Sequence, residues 1–343
     1  MRSLIVNKDG SMEIKEINKP KYGPKQALTK MIACGMCGSD VKLIHKCFKG
    51  VPESIYPVIL GHEGIGEVVE IGAEVKSLKV GDKVMIPYID DDAENFGDLR
   101  SAWGAVSEYA VVNDAAAFPE GTAPGLAYAQ TLLADDIDPV DAVIIVTFRE
   151  VLAAIQYFGI KPEDSVAVFG CGPVGLTYIK ILNLLGVKDL IAVDIVDDKL
   201  KSATENGATL TINSRTSDLT AAVRAKYPNG IHHVIDAVGL PIVTNQALTI
   251  LKDRGNVLVY GVLEKEEITI DFSKASYNWN FICQQMPEKK EEYDAHDQIV
   301  EWIRSGKLVM KDYISDYFPF EDSVKAYELL LDLKIMKKGI ITF

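Results

Sequence analysis

Residues 166–176 read VAVFGCGPVGL, an apolar strand-like run that breaks into Gly170-x-Gly172-x-x-Gly175 and continues as the start of an amphipathic segment. A glycine pattern of this kind recurs by chance in unrelated chains, so its neighbours decide its meaning. Here a strand precedes it and a helix pattern, VGLTYIKILNLLG, follows. In that setting the first glycine permits a tight turn and the second lets a pyrophosphate approach the backbone. The third allows close strand–helix packing, and the helix N-terminus attracts phosphate. The turn of Gly170, Gly172, Pro173, Val174 and Gly175 is therefore expected to bind a dinucleotide. The next strand, IAVD, ends in Asp194, about 20 residues past Gly175, where a carboxylate accepts hydrogen bonds from an adenosine ribose and repels a 2′-phosphate. NAD is expected rather than NADP.

From about residue 145 strands and helices alternate: SVAVFG, DLIAVDI, HHVIDAVG and NVLVYGV are separated by helical stretches. Such alternation predicts a doubly wound parallel sheet, a Rossmann α/β domain over 146–284. Before it the texture differs. MRSLIVNKDGSMEIKEI predicts strand, turn and strand, and PVILGHEGIGEVVEIG, VGDKVMIP and SEYAVV continue as short β segments between turns. Residues 1–145 therefore predict an irregular β-rich domain, and the tail after 285 returns to helices and ends in the strand-like GIITF.

Composition restricts the function classes. The chain has 343 residues, 48% of them hydrophobic and 25% charged, which suits two soluble domains of ordinary size. A net charge of −13 without a basic cluster argues against nucleic acid. No apolar run approaches the roughly 18 residues of a membrane span, and the N-terminus does not read as a signal peptide, so a cytoplasmic protein is expected. Five cysteines, an odd number, argue against a disulfide framework.

Two of those cysteines lie in CGMCGSD, Cys34 to Asp40, and LGHEGIGEVVEIG places His62 and Glu63 in a glycine-rich turn downstream. One cysteine, one histidine and one carboxylate from separate loops can hold zinc tetrahedrally with a fourth position open, the arrangement of catalytic zinc. Ser39 could cap a helix starting near Asp40, and so could Asp40 itself.

CGSD at 37–40, GHEGIGEVVEIG from 61, VGDKV from 80 and GCGPVGL at 170–176 together resemble the zinc-dependent medium-chain dehydrogenases. The likeness covers nearly the whole chain and is nearest to the polyol (sorbitol-type) dehydrogenases. It implies a GroES-like catalytic domain made of residues 1–145 and 285–343 beside the Rossmann domain, with the reaction in the cleft between them. It further implies zinc on Cys37, His62 and Glu63, with Ser39 relaying the alcohol proton toward the cofactor ribose and Asp40 orienting His62. Lys199 matches a residue that contacts the adenosine ribose, while Val238, Gly239 and Gly261 supply backbone beside the nicotinamide. The reaction implied is hydride transfer from a secondary alcohol of a polyol, sugar or sugar-acid derivative to NAD, giving a ketone. The family likeness also implies a homodimer or homotetramer, built on the last strand edge of the Rossmann sheet.

The sequence departs from that pattern in two places. The stretch IPYIDDDAENFGDLRSAWGAVSEYAVV lacks the four cysteines of a structural zinc, so a single catalytic zinc is expected. Val146 stands where sorbitol-type relatives carry a glutamate near the metal. Glu150, four residues on, shares a face with it if the segment is helical, and either reaches back toward the site or pairs with a surface cation. Two rival readings stay open: a threonine- or amino-alcohol-type dehydrogenase of the same architecture, and an NAD-binding sensor that has lost catalysis.

Overall fold

The computed structural model describes residues 1–263 and 267–343. They divide into two compact units: Met1–Val146 with Glu288–His296 and Val309–Phe343, and Thr147–Pro287 with Asp297–Leu308.

The first unit is built from short, irregular strands. Its N-terminal hairpin pairs Arg2–Val6 with Met12–Glu16 around Asp9-Gly10, where Gly10 takes the positive φ a tight turn requires. The long Gln26–Gly35 strand is the spine. It pairs antiparallel with Glu63–Ile71, with Tyr109–Asn113 and with the C-terminal Lys338–Thr342 strand. Buried Leu4, Val6, Met31, Leu43, Tyr56, Val58, Leu60 and Ile341 form the core under these strands. Burying side chains of this size stabilises the fold by about 1.5–3 kcal/mol each.

The second unit is a Rossmann sheet of six parallel strands. Their order is Leu210–Asn213, Asp189–Asp194, Ser165–Phe169, Ile231–Asp236, Leu251–Val259 and Trp279–Cys283. Ser165–Phe169 is buried at every position, as a strand covered on both faces must be. The chain runs outward from it first to Asp189–Asp194 and then, on its other side, to Ile231–Asp236. That reversal opens a crevice at the carboxyl ends of the central strands, where ligands bind in this topology. The glycine turn of residues 170–175 lies at that end.

Candidate metal and cofactor sites

In the first unit Cys37 is the residue preceding the Gly38–Ile44 helix, so Cys37 itself, rather than Ser39 or Asp40, takes the cap position. Asp40 lies one turn in and is fully buried. Its Oδ2 accepts the Cys37 backbone N–H at 3.0 Å and the Tyr327 hydroxyl at 3.0 Å, while Oδ1 lies 3.3 Å from His62 Nδ1. A carboxylate against Nδ1 favours the proton on that nitrogen and leaves the Nε2 lone pair for other work. Ser39 Oγ is 3.1 Å from His62 Nε2, and Trp103 lies against the imidazole with ring centroids 5.4 Å apart.

Glu63 begins its strand directly after His62 and is buried. In the antiparallel register Gly35 stands opposite, and a Cβ there would fall 2.4 Å from Glu63 Oε2. The glycine of CGMC therefore makes room for this carboxylate. Ligand atoms of Cys37, His62 and Glu63 all lie within 4.8 Å of one another. One thiol, one imidazole and one carboxylate is a donor set that suits zinc, and the three residues fit the ion in both chemistry and convergence.

Charge around the trio is arranged unevenly. Burial alone would depress His62, but the Asp40 carboxylate and the Cys37 side chain outweigh it and raise His62 well above the usual imidazole value. Burial, reinforced by the charges of Asp40 and Glu63, pushes the Cys34 thiol far up. Cys34 is thus a neutral core residue, and its sulfur contacts the Gly35 carbonyl. Two residues that no local motif points to complete the surroundings. Tyr327 holds Asp40 from the Ser323–Leu331 helix, and Lys338 donates to Glu63 at 2.8 Å (Oε1) and 2.6 Å (Oε2).

In the second unit the three glycines of the turn divide their duties as steric reasoning requires. Gly170 adopts φ +89°, and a Cβ on it would meet Val238 at 2.6 Å. A Cβ on Gly175 would lie 1.7 Å from the Gly170 carbonyl oxygen, so only glycine lets the helix pack here. A Cβ on Gly172 would meet nothing within 4 Å among the described residues, which leaves that side of the turn open. Pro173 occupies the first turn of the Pro173–Leu184 helix, and no side-chain cap is formed there among the described residues. An open glycine below an uncapped helix N-terminus is the cradle a pyrophosphate fits.

Asp194 is held in place by backbone. Its Oδ2 accepts Cys171 N–H at 2.7 Å and its Oδ1 accepts those of Ile195 and Val196 at 2.7 and 3.0 Å. A carboxylate has about four acceptor sites, so one remains after these three. Lys199 lies half-buried on the following helix. Burial pushes the Cys171 thiol up to about 12, with the Asp194 charge adding to the rise and Lys199 opposing it. At the ends of the Ile231–Asp236 and Leu251–Val259 strands, Asp236 Oδ1 accepts the N–H groups of Val238 and Gly239 at 2.8 and 2.9 Å. Gly239 has φ +81°, and a Cβ on Gly261 would fall 2.4 Å from Gly239 N, so the two turns interlock. Glu150 lies in the Ile144–Phe158 helix, and the Tyr260 hydroxyl donates to it at 3.4 Å. Val146 is buried.

Comparison with known proteins agrees with both units. Residues 23–121 match the alcohol dehydrogenase GroES-like domain, and residues 173–283 match the zinc-binding dehydrogenase domain. The chain belongs to the zinc-dependent medium-chain alcohol dehydrogenase family, whose members are oxidoreductases acting on alcohols and polyols. Among its relatives is the NADP-dependent isopropanol dehydrogenase of Entamoeba histolytica, 33% identical over 71% of this chain and 68% of the relative. Another is the D-xylulose reductase of Saccharomyces cerevisiae, 29% identical over 95% of this chain and 93% of the relative. The fold matches that of galactitol-1-phosphate dehydrogenase from Escherichia coli with a TM-score of 0.83 at 22% identity, covering all of both chains. No helix among the described residues is long and apolar enough to cross a membrane.

Proposed function

We propose that the chain oxidises a secondary alcohol in a polyol, sugar or sugar-acid derivative to a ketone, with NAD as the hydride acceptor. The convergence of Cys37, His62 and Glu63 beside the Ser39 hydroxyl is the observation that carries the reading. These three residues would hold the ion. Zinc, when bound, supplies the Lewis acidity that makes an alcohol hydroxyl acidic near neutral pH. Asp40, fixed by the Cys37 amide and Tyr327, keeps the proton of His62 on Nδ1 and so leaves Nε2 as the donor atom. The Ser39 hydroxyl can accept one proton while giving up its own, which suits it to take the proton of the substrate alcohol.

In the second unit Gly172 and the helix N-terminus would receive the pyrophosphate. The remaining acceptor site of Asp194 would take a ribose hydroxyl, with Lys199 beside it. The fixed charge of Asp194 disfavours a 2′-phosphate and supports NAD. Polyol and sugar-alcohol relatives support the substrate class. The same reading has the protein acting on small molecules in the cytoplasm, as a homodimer or homotetramer joined at the Trp279–Cys283 edge, beside which Phe272 and Tyr277 are exposed.

Elemental analysis of purified protein is expected to give close to one zinc per chain, lost in Cys37→Ala. Ser39→Ala should keep its zinc yet lose about 100-fold or more in kcat with a polyol panel and NAD. Protein that retains no zinc and reduces neither NAD nor NADP with any polyol would overturn the proposal. Turnover of amino alcohols alone would move the substrate to the threonine-type class.

A further inference from the structure

Glu63 is claimed twice. The trio needs one of its oxygens for the ion, and Lys338 already sits on both, at 2.8 and 2.6 Å. Both side chains are almost completely buried, at 2% exposure for Glu63 and 3% for Lys338. Gly35 closes in from the opposite strand, so the carboxylate is pinned between Gly35 and the ammonium. A carboxylate buried this deeply needs a counter-charge, and breaking such a pair from one side is strongly destabilising. With the ion present, Glu63 has a dication as counter-charge. Without it, the ammonium performs that service.

We propose that Lys338 is an internal stand-in cation. It neutralises Glu63 while the site is empty of metal, keeping the first unit folded, and it weakens metal binding by competing for the same carboxylate. The inference rests on the reading that Cys37, His62 and Glu63 hold zinc. It differs from a merely structural ion pair in one measurable respect. A structural pair matters equally with and without metal, whereas a stand-in matters most without it. Linkage then requires the difference to reappear as a change in metal affinity.

The test uses the full chain, stripped with a chelator and then titrated with zinc against a chromophoric competitor, with thermal melting of both forms. Lys338→Met should lower the melting temperature of the metal-free form by about 10 °C. The zinc-loaded form should return to within about 3 °C of wild type, with zinc bound roughly tenfold or more tightly. Lys338→Arg, which keeps a buried cation, should behave as wild type in both forms. Lys338→Met combined with Glu63→Gln should restore metal-free stability and lose the gain in zinc affinity. Equal destabilisation of both forms of Lys338→Met with unchanged zinc affinity overturns the proposal, as does failure of that variant to fold even with zinc. Wild-type protein that binds no zinc removes the metal reading itself, and is recognised before any variant is made.

Discussion

Substituting Gly175 by alanine separates the packing role of the glycine turn from its binding role. The new Cβ would stand 1.7 Å from the Gly170 carbonyl oxygen and 2.8 Å from its carbon. Both obstacles are backbone, so no side chain can swing aside. The start of the Pro173–Leu184 helix must withdraw from the strand by more than about 1 Å, an overpacking distortion whose cost is about 3 kcal/mol. In a unit of roughly 150 residues each kcal/mol shifts the melting temperature by about 2–4 °C, so Gly175→Ala should melt about 6–12 °C lower without ligand. Gly172→Ala is the matched control. Its methyl group enters open space at φ −75°, and the loss of a glycine cap costs under about 1 kcal/mol. That variant should melt within about 3 °C of wild type yet bind NADH roughly tenfold more weakly, because the methyl group stands where the pyrophosphate must approach. Calorimetry of the metal- and cofactor-free forms, with NADH titration by fluorescence, measures both quantities. If Gly175→Ala melts with wild type, or Gly172→Ala is the less stable of the two, the reasoning about which glycine packs and which one binds is wrong.

Two further substitutions test the first unit. Asp40→Asn keeps the shape but sets an amide against His62 Nδ1; if its oxygen keeps the Cys37 and Tyr327 bonds, its N–H₂ pushes the imidazole proton onto Nε2. Zinc affinity should fall about 10–100-fold in a competition titration, and a change under threefold would show that Asp40 does not set the tautomer. Asp114 is opposed by burial, but hydrogen bonds from Ser77, the Lys76 amide and the Ala116 amide outweigh it and hold its carboxyl below the usual range. A lowered folded value contributes stability above the unfolded value near 4, and that stability is lost as pH falls through the lowered one. Asp114→Asn should therefore be less stable than wild type by about 1–2 kcal/mol at pH 7 in urea unfolding, with the gap narrowing toward pH 3. A gap that is constant with pH would mean that the charge is not involved.

The legible parts of the chain are those written in short-range pattern. GCGPVG, the strand before it and the helix after it announce the Rossmann unit, because three steric demands fall within six residues. CGSD and GHE likewise announce a cysteine, a histidine and a carboxylate, and the fold brings them within 4.8 Å. What the sequence conceals is the material that steadies them. Tyr327 and Lys338 meet Asp40 and Glu63 across 287 and 275 residues of chain, and neither sits in a recognisable spacing. Gly35 carries no signal of its own in the sequence, and its role shows only when the strand register sets it opposite Glu63. Glu150 gave two possible partners on helical periodicity alone, and its bond from Tyr260 depends on a strand end that periodicity does not locate. The Trp279–Cys283 strand is equally silent, with a mixed burial pattern typical of an edge.

The strand that carries Lys338 lies between Gln26–Gly35 and Ile314–Pro319, antiparallel to the first and parallel to the second. During translation the spine strand, His62 and Glu63 leave the ribosome long before it does, with the whole Rossmann unit synthesised in between. For that interval the nascent first unit carries an open sheet edge and a buried acid without its base. A ribosome stall or a C-terminal deletion that removes residues 338–342 leaves both unanswered. Such a chain would expose itself to proteases and chaperones even though every proposed zinc ligand is already in place.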